Sequence, residues 1–286
     1  MKRFIIIAAS LLWGAALFAQ ELVIRIDDMG ALHSVNTASI DTYQNGIAKS
    51  VEVLAVGAWF PEAVKMLKEN PGLDVGIHLA ITSEWENVKW RPLTDCPTLV
   101  DENGYFFPMM GPNPAYPGQS VMENASKFDI KEIEKEFRAQ IEFALKNIPQ
   151  ITHISGHMMS TAYSPEVNAL VQKLSKEYNL PSVDRFDAFE QYDFEYVGYD
   201  GPKATAEEKI ASFIKMLDKL EKGKRYMFVD HPAYNDSEMQ TVMHVGYEDV
   251  AVDRQGVTDF LKNSEVNKAI RKRRIKLIDI NTLTKS

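Results

Sequence analysis

Asp27 and Asp28 stand side by side where the apolar run 22–26 ends, in the stretch IRIDDMG. Adjacent carboxylates do not both ionise cheaply unless a cation lies nearby. Histidines recur at comparable points: His78 ends LDVGIHL, His153 and His157 lie in and just after ITHIS, and His231 directly follows YMFVD. Carboxylates and neutral imidazoles are the donors of a divalent metal site. Asp28, His78 and His157 supply one carboxylate and two imidazoles, which leaves Asp27 free to handle a proton. The plainer readings are that Asp28 or Ser34 caps the following helix, and that His78 or His153 is a hydrogen-bonded core residue. Four of the six histidines fall at strand ends, and that coincidence favours the site. His153 stops short of the rim and is read as orienting a ligand; His33 and His244 are read as surface or supporting residues.

The scaffold that must gather these groups is legible as apolar runs alternating with amphipathic stretches. Strands are expected at 22–26, 51–56, 73–79, 151–155, 226–230 and 275–280, with a weaker one at 182–186. Helices are expected at 34–45, 60–69, 129–147, 164–179, 205–221 and 256–271. This alternation calls for parallel strands and crossover helices, hence an α/β fold. A TIM-barrel-like (β/α) barrel, distorted or short of eight strands, is preferred to an open doubly wound sheet. In either, the C-terminal strand ends form one rim where catalytic groups collect. The turn DDMGALHS lacks the glycine spacing of a dinucleotide loop. Residues 83–127 break the pattern with Trp85, Trp90, Tyr105, Phe106, Phe107, Tyr116 and FPMMGPNPAYPG. So long an aromatic and Pro-rich insertion loop is either a lid or binding loop, or an excursion packed by its own aromatics.

The chain has 286 residues, is 45% hydrophobic, and carries a formal net charge of −8. That is enough to bury a large core. Residues 1–19, MKRFIIIAASLLWGAALFA, read as a secretory signal, the rest (20–286) being one domain exported to the periplasm or beyond. The apolar stretch is short for a retained membrane anchor, so no stable membrane insertion is expected after cleavage. Loss of Lys2 and Arg3 with the leader takes the charge to −10, which argues against nucleic acid as a partner. The basic run Arg271, Lys272, Arg273, Arg274 is read as a solvated face, and the single Cys96 cannot form an internal disulfide.

RIDDMG with VN at 35–36, VGIHLAIT at 75–82, ITHISGH at 151–157 and DHPAYND at 230–236 together resemble the ordered motifs of the YdjC-like, ChbG/HpnK-type carbohydrate deacetylases. The resemblance implies a TIM-barrel-like fold and a divalent metal on Asp28, His78 and His157. Departures are visible too: HMMST follows where family members carry further histidines, and Ser155 stands where an aspartate is common. Arg185 in VDRFD either matches a family arginine or makes a surface salt bridge.

The expected activity is metal-dependent removal of acetyl groups from N-acetylated sugars or oligosaccharides, with Zn²⁺ favoured over Mg²⁺. Asp27 would take a proton from water, and His231 would protonate the leaving amine or orient Asp27. Trp85 and Trp90 are candidates for stacking on sugar or for the core. The alternatives are a metal-dependent hydrolase of another bond, such as an amidohydrolase or phosphoesterase, and a non-catalytic carbohydrate-binding protein on the same scaffold. A homodimer is compatible with the sequence.

Overall fold

The computed structural model describes residues 19–185 and 187–285, so nearly all of the expected signal segment lies outside the described residues. The strands are β1 (Glu21–Met29), β2 (Ser50–Val53), β3 (Asp74–Leu79), β4 (Ile151–Gly156), β5 (Glu195–Val197), β6 (Arg225–Asp230) and β7 (Lys276–Ile278). The principal helices are α1 (His33–Gln44), α2 (Phe60–Glu69), α3 (Ile130–Asn147), α4 (Pro165–Tyr178), α5 (Ala206–Leu217), α6 (Val250–Lys262), α7 (Ser264–Lys272) and α8 (Ile280–Lys285). Every strand pairing is parallel, in the order β4-β3-β2-β1-β6-β5, with β7 also on β1. The expected α/β class therefore holds, with helices crossing between parallel strands.

Helix starts follow local chemistry. Ser164 caps α4, Thr205 and Glu208 form a reciprocal capping box on α5, and Asn263 caps α7. The last of these corrects the single helix expected over 256–271: the chain breaks at Asn263, whose extended backbone ends α6 and whose side chain starts α7. Three strand expectations also change; the first, 51–56, is strand only to Val53, because the chain turns there, with the Gly57 amide donating to the Leu54 carbonyl. The run 275–280 pairs only over β7, because Ile280 begins α8, and the described part of 182–186, residues 182–185, contributes one isolated bridge, Ile154 to Ser182. β5 was not expected; it is three residues long and largely exposed.

The strands alternate between two environments. Leu22, Ile24 and Ile26 of β1 join the main core beneath the helices, whereas Val23 packs with Val183, Phe194, Met227, Ile278 and Leu283 on the other face. Arg25 and Asp27 continue that second face, beside Glu52, His78, His153 and Ser155, all buried. The two ends of the sheet path meet through Asp184, which accepts hydrogen bonds from the Gly156 amide of β4 and the Tyr196 hydroxyl of β5, and from Arg25 of β1. The sheet is thus curled around an interior that is apolar at one end and charged at the other.

Residues 83–127 have little regular structure but are tied down. The buried Glu136 of α3 accepts from the amides of Leu93 and Thr94, and Trp90 Nε1 donates to the Thr82 carbonyl at 2.7 Å. Trp85, Trp90, Cys96, Leu99 and Phe106 all join the main core. In the basic run, Arg271, Lys272 and Arg274 are exposed and Arg273 pairs with Asp218. Among the described residues, no helix is long and apolar enough to cross a membrane.

Candidate metal and hydrolytic site

The adjacency of Asp27 and Asp28 has a backbone cause. Ile26 pairs with Val51 and Met29 with Val53, so β1 spends one residue more than β2 over this interval. This is a β-bulge, and Asp28 takes φ 75° within it. In a regular strand neighbouring side chains face opposite sides; here both carboxylates line one cavity of about 530 Å³. Aspartate is among the residues that tolerate the left-handed region. Neither helix-capping reading survives: the residue preceding α1 is Leu32, with no side-chain cap, and the Ser34 amide donates to Glu238.

His78 is the penultimate residue of β3 and His157 follows β4, and with Asp28 they form a buried group whose ligand atoms all lie within 4.8 Å of one another. His157 Nδ1 is 3.2 Å and His78 Nε2 is 3.8 Å from Asp28 Oδ1. The other nitrogen of each ring is engaged: His157 Nε2 with Glu84 at 2.9 Å, His78 Nδ1 with the Ser155 hydroxyl at 2.8 Å. A ring that donates one N–H to an outer acceptor turns the lone pair of its other nitrogen inward. Asp28 Oδ1 is buried and has no aligned hydrogen-bond partner among the described residues. Acceptors so close together need a cation or a proton between them, so this donor set fits a divalent metal.

The same crowding sets the pKa directions of these three groups. Burial opposes charge on His157, but Glu84 and Asp28 outweigh it and push its pKa up to about 10. Burial, then His157 and Arg25, holds His78 down to about 3. Burial would raise the Asp28 carboxyl, yet Arg254 at 2.9 Å and His157 hold it well below the usual range.

Asp27 is gripped by Arg25 in a two-pronged pair, 2.7 and 2.8 Å, and its Oδ2 lies 3.6 Å from His78 Nε2. His231 lines the same cavity with its side chain 39% exposed. Its amide donates to Asp230 at 2.9 Å, and Asp230 in turn accepts from the Tyr199 hydroxyl at 2.6 Å. Burial opposes protonation of His231, but Asp230 and then Asp28 raise its pKa.

His153 lies away from the cavity, bonded to Glu52 at 2.7 Å. His33 pairs with Glu62, whereas His244 lines the cavity and stacks on Trp85 at 5.6 Å. Trp85 also lines the cavity, while Trp90 packs edge-on against His157 at 5.8 Å. Arg185 pairs with Asp187 at 3.2 Å, but the arginine itself is buried, so this is not the surface salt bridge expected. Sequence reasoning missed Glu84 and Arg254. Glu84 sits in the aperiodic stretch, and Arg254 lies just before residue 256, where the last of the expected helices was to begin. Its spacing with Val250, Val257 and Leu261, all buried on α6, is the signal that places it on the inward face.

Comparison with known proteins accords with this constellation. Residues 21–272 match the family model described as YdjC-like protein. A carbohydrate deacetylase of Geobacillus stearothermophilus is 30% identical over 220 residues, 75% of this chain and 80% of that protein. One from Thermoanaerobacter pseudethanolicus is 26% identical over 252 residues, covering 83% and 90%. A solved structure from Enterococcus faecalis, to which cellobiose-phosphate cleavage has been ascribed, shares the fold with a TM-score of 0.74 at 24% identity, covering 93% of this chain and 99% of that one. A match spanning almost all of the described residues, carrying the motifs that build the cavity, makes this chain a member of the YdjC-like family.

Proposed function

We propose that the protein is an exported, metal-dependent carbohydrate deacetylase that hydrolyses the acetamide of an N-acetylated sugar to the free amine and acetate. The observation that carries this reading is the convergence of Asp28, His78 and His157 around an unpartnered carboxylate oxygen, with Asp27 beside them. The carbohydrate deacetylases among its relatives support the substrate class, and the N-terminal leader supports export.

Asp28, His78 and His157 would hold the ion, Zn²⁺ in preference to Mg²⁺ because two of three donors are imidazoles. A bound divalent ion supplies Lewis acidity toward water and the amide carbonyl. The remaining work falls to the chain. Asp27, fixed in place by Arg25, takes a proton from the attacking water. His231, whose hold on a proton is strengthened by Asp230, delivers that proton to the amine nitrogen as the C–N bond breaks. Arg254 offsets the charge of Asp28, and Trp85 with His244 forms a wall against which a sugar face can stack.

The test is acetate release from N-acetylglucosamine, chitobiose and peptidoglycan fragments, by chelator-treated protein before and after zinc is returned. Zinc-restored release is expected. Zinc-independent hydrolysis, or no release from any N-acetylated sugar while a phosphate ester is cleaved, would overturn the reading.

A further inference from the structure

Behind His78 the structure holds a chain of buried groups that reaches the back of Asp27. His78 Nδ1 meets Ser155 Oγ at 2.8 Å, and the Ser155 hydroxyl donates to Glu52. Glu52 also contacts His153 Nε2 at 2.7 Å and Arg25 Nε at 3.5 Å. Arg25 is the residue that clamps Asp27. Ser155, Glu52 and His153 are fully buried.

The direction of the hydrogen bonds follows from proton counting. A serine has one O–H to give. Glu52 faces Arg25 and His153 and is an acceptor, so it takes that proton, and Ser155 Oγ must accept from His78. His78 therefore carries its proton on Nδ1 and presents the Nε2 lone pair toward Asp28. Reversed, the same ring would point N–H at the ligand cluster and could not ligate.

We propose that Ser155 and Glu52 are positioning residues that set the tautomer and orientation of His78, and that Glu52 braces Arg25, and through it Asp27, from the same point. One buried carboxylate thus stands behind both a metal ligand and the proton-accepting aspartate. The proposal rests on the reading of Asp28, His78 and His157 as ligands. Second partners of this kind commonly change metal affinity about 10–100-fold.

Zinc affinity, measured by competition with a chromophoric chelator on the full chain, tests the proposal alongside thermal melting. Wild-type protein is expected to bind one zinc tightly; failure to do so would sink the ligand reading itself. Given that binding, Ser155→Ala should weaken zinc about 10–100-fold while the melting temperature of the metal-free protein changes little. Glu52→Gln should weaken zinc similarly and lower kcat further, with KM unchanged, since Arg25 loses its brace. The paired change Ser155→Asp with Glu52→Gln, which puts the carboxylate directly against His78, should recover most of the lost affinity. Wild-type zinc affinity in Ser155→Ala, or no recovery in the paired variant, would overturn the relay. Should Glu52→Gln fail to fold, the Ser155→Ala affinity alone decides.

Discussion

At the scale of single residues, the two neighbouring aspartates differ in their partners, and the separate roles proposed for them follow from that difference. Each Asp27 oxygen accepts one hydrogen bond from Arg25 and keeps a second lone pair for a proton, whereas Asp28 keeps one oxygen bare between two imidazoles. Asp27→Asn should retain zinc after dialysis and lose about 10²–10⁴-fold in kcat, the usual contribution of a general base. Asp28→Asn should lose both zinc and activity, and equal zinc loss in the two variants would mean the roles are shared. His231 separates from them by exposure. It sits at the open side of the cavity and is held by Asp230 on one side and by the following Pro232 along the backbone. His231→Ala should lower kcat with little change in KM, zinc content or melting temperature, because the loss falls on the transition state. An unchanged kcat would remove it from the reaction, leaving it a loop anchor for Asp230.

At the scale of elements, the site depends on how closely three strands approach. A Cβ added at Gly76 of β3 would lie 2.2 Å from Glu52 and 2.3 Å from His153, inside the pair that closes the relay. Gly76→Ala should therefore cost about 1–3 kcal/mol, the range for overpacking a filled interior. It should also weaken zinc, because Glu52 must move away from Ser155; denaturant unfolding and zinc titration on one preparation check both. The bulge in β1 acts at the same level. It adds one residue to the register, and this turns a strand's ordinary in-and-out alternation into two carboxylates facing one cavity.

At the scale of the whole molecule, the charged end of the curled sheet links stability to protons and, on the proposed reading, to a metal. An unfolded histidine titrates near pH 6.5. With its folded pKa raised to about 10, His157 contributes stability that is complete below about pH 6.5 and is lost as pH rises toward 10. His78, held to about 3, does the reverse: its contribution is present above about pH 6.5 and is lost as pH falls toward 3. The melting temperature of metal-free protein should thus decline above neutrality, and less steeply in His157→Gln. Zinc competes with the proton on His157, so it should raise the melting temperature more at pH 9 than at pH 6; a larger rise at pH 6 would contradict this account. What the sequence alone determined is what local physics writes into it. Apolar runs and capping residues marked most strands and helices, and strand-end placement singled out Asp27, Asp28, His78, His157 and His231. The three largely exposed residues of β5, the break at Asn263 and the early end of β7 were not legible, because pairing and packing from distant segments decide them. The tertiary structure alone decided that two adjacent aspartates share a cavity. It also decided that Glu84 and Ser155 orient the imidazoles, that Arg254 offsets Asp28, and that Glu52 stands behind two groups from different strands. Those partners are separated by up to 226 residues along the chain, and no local pattern reports a contact that exists only once the sheet has curled.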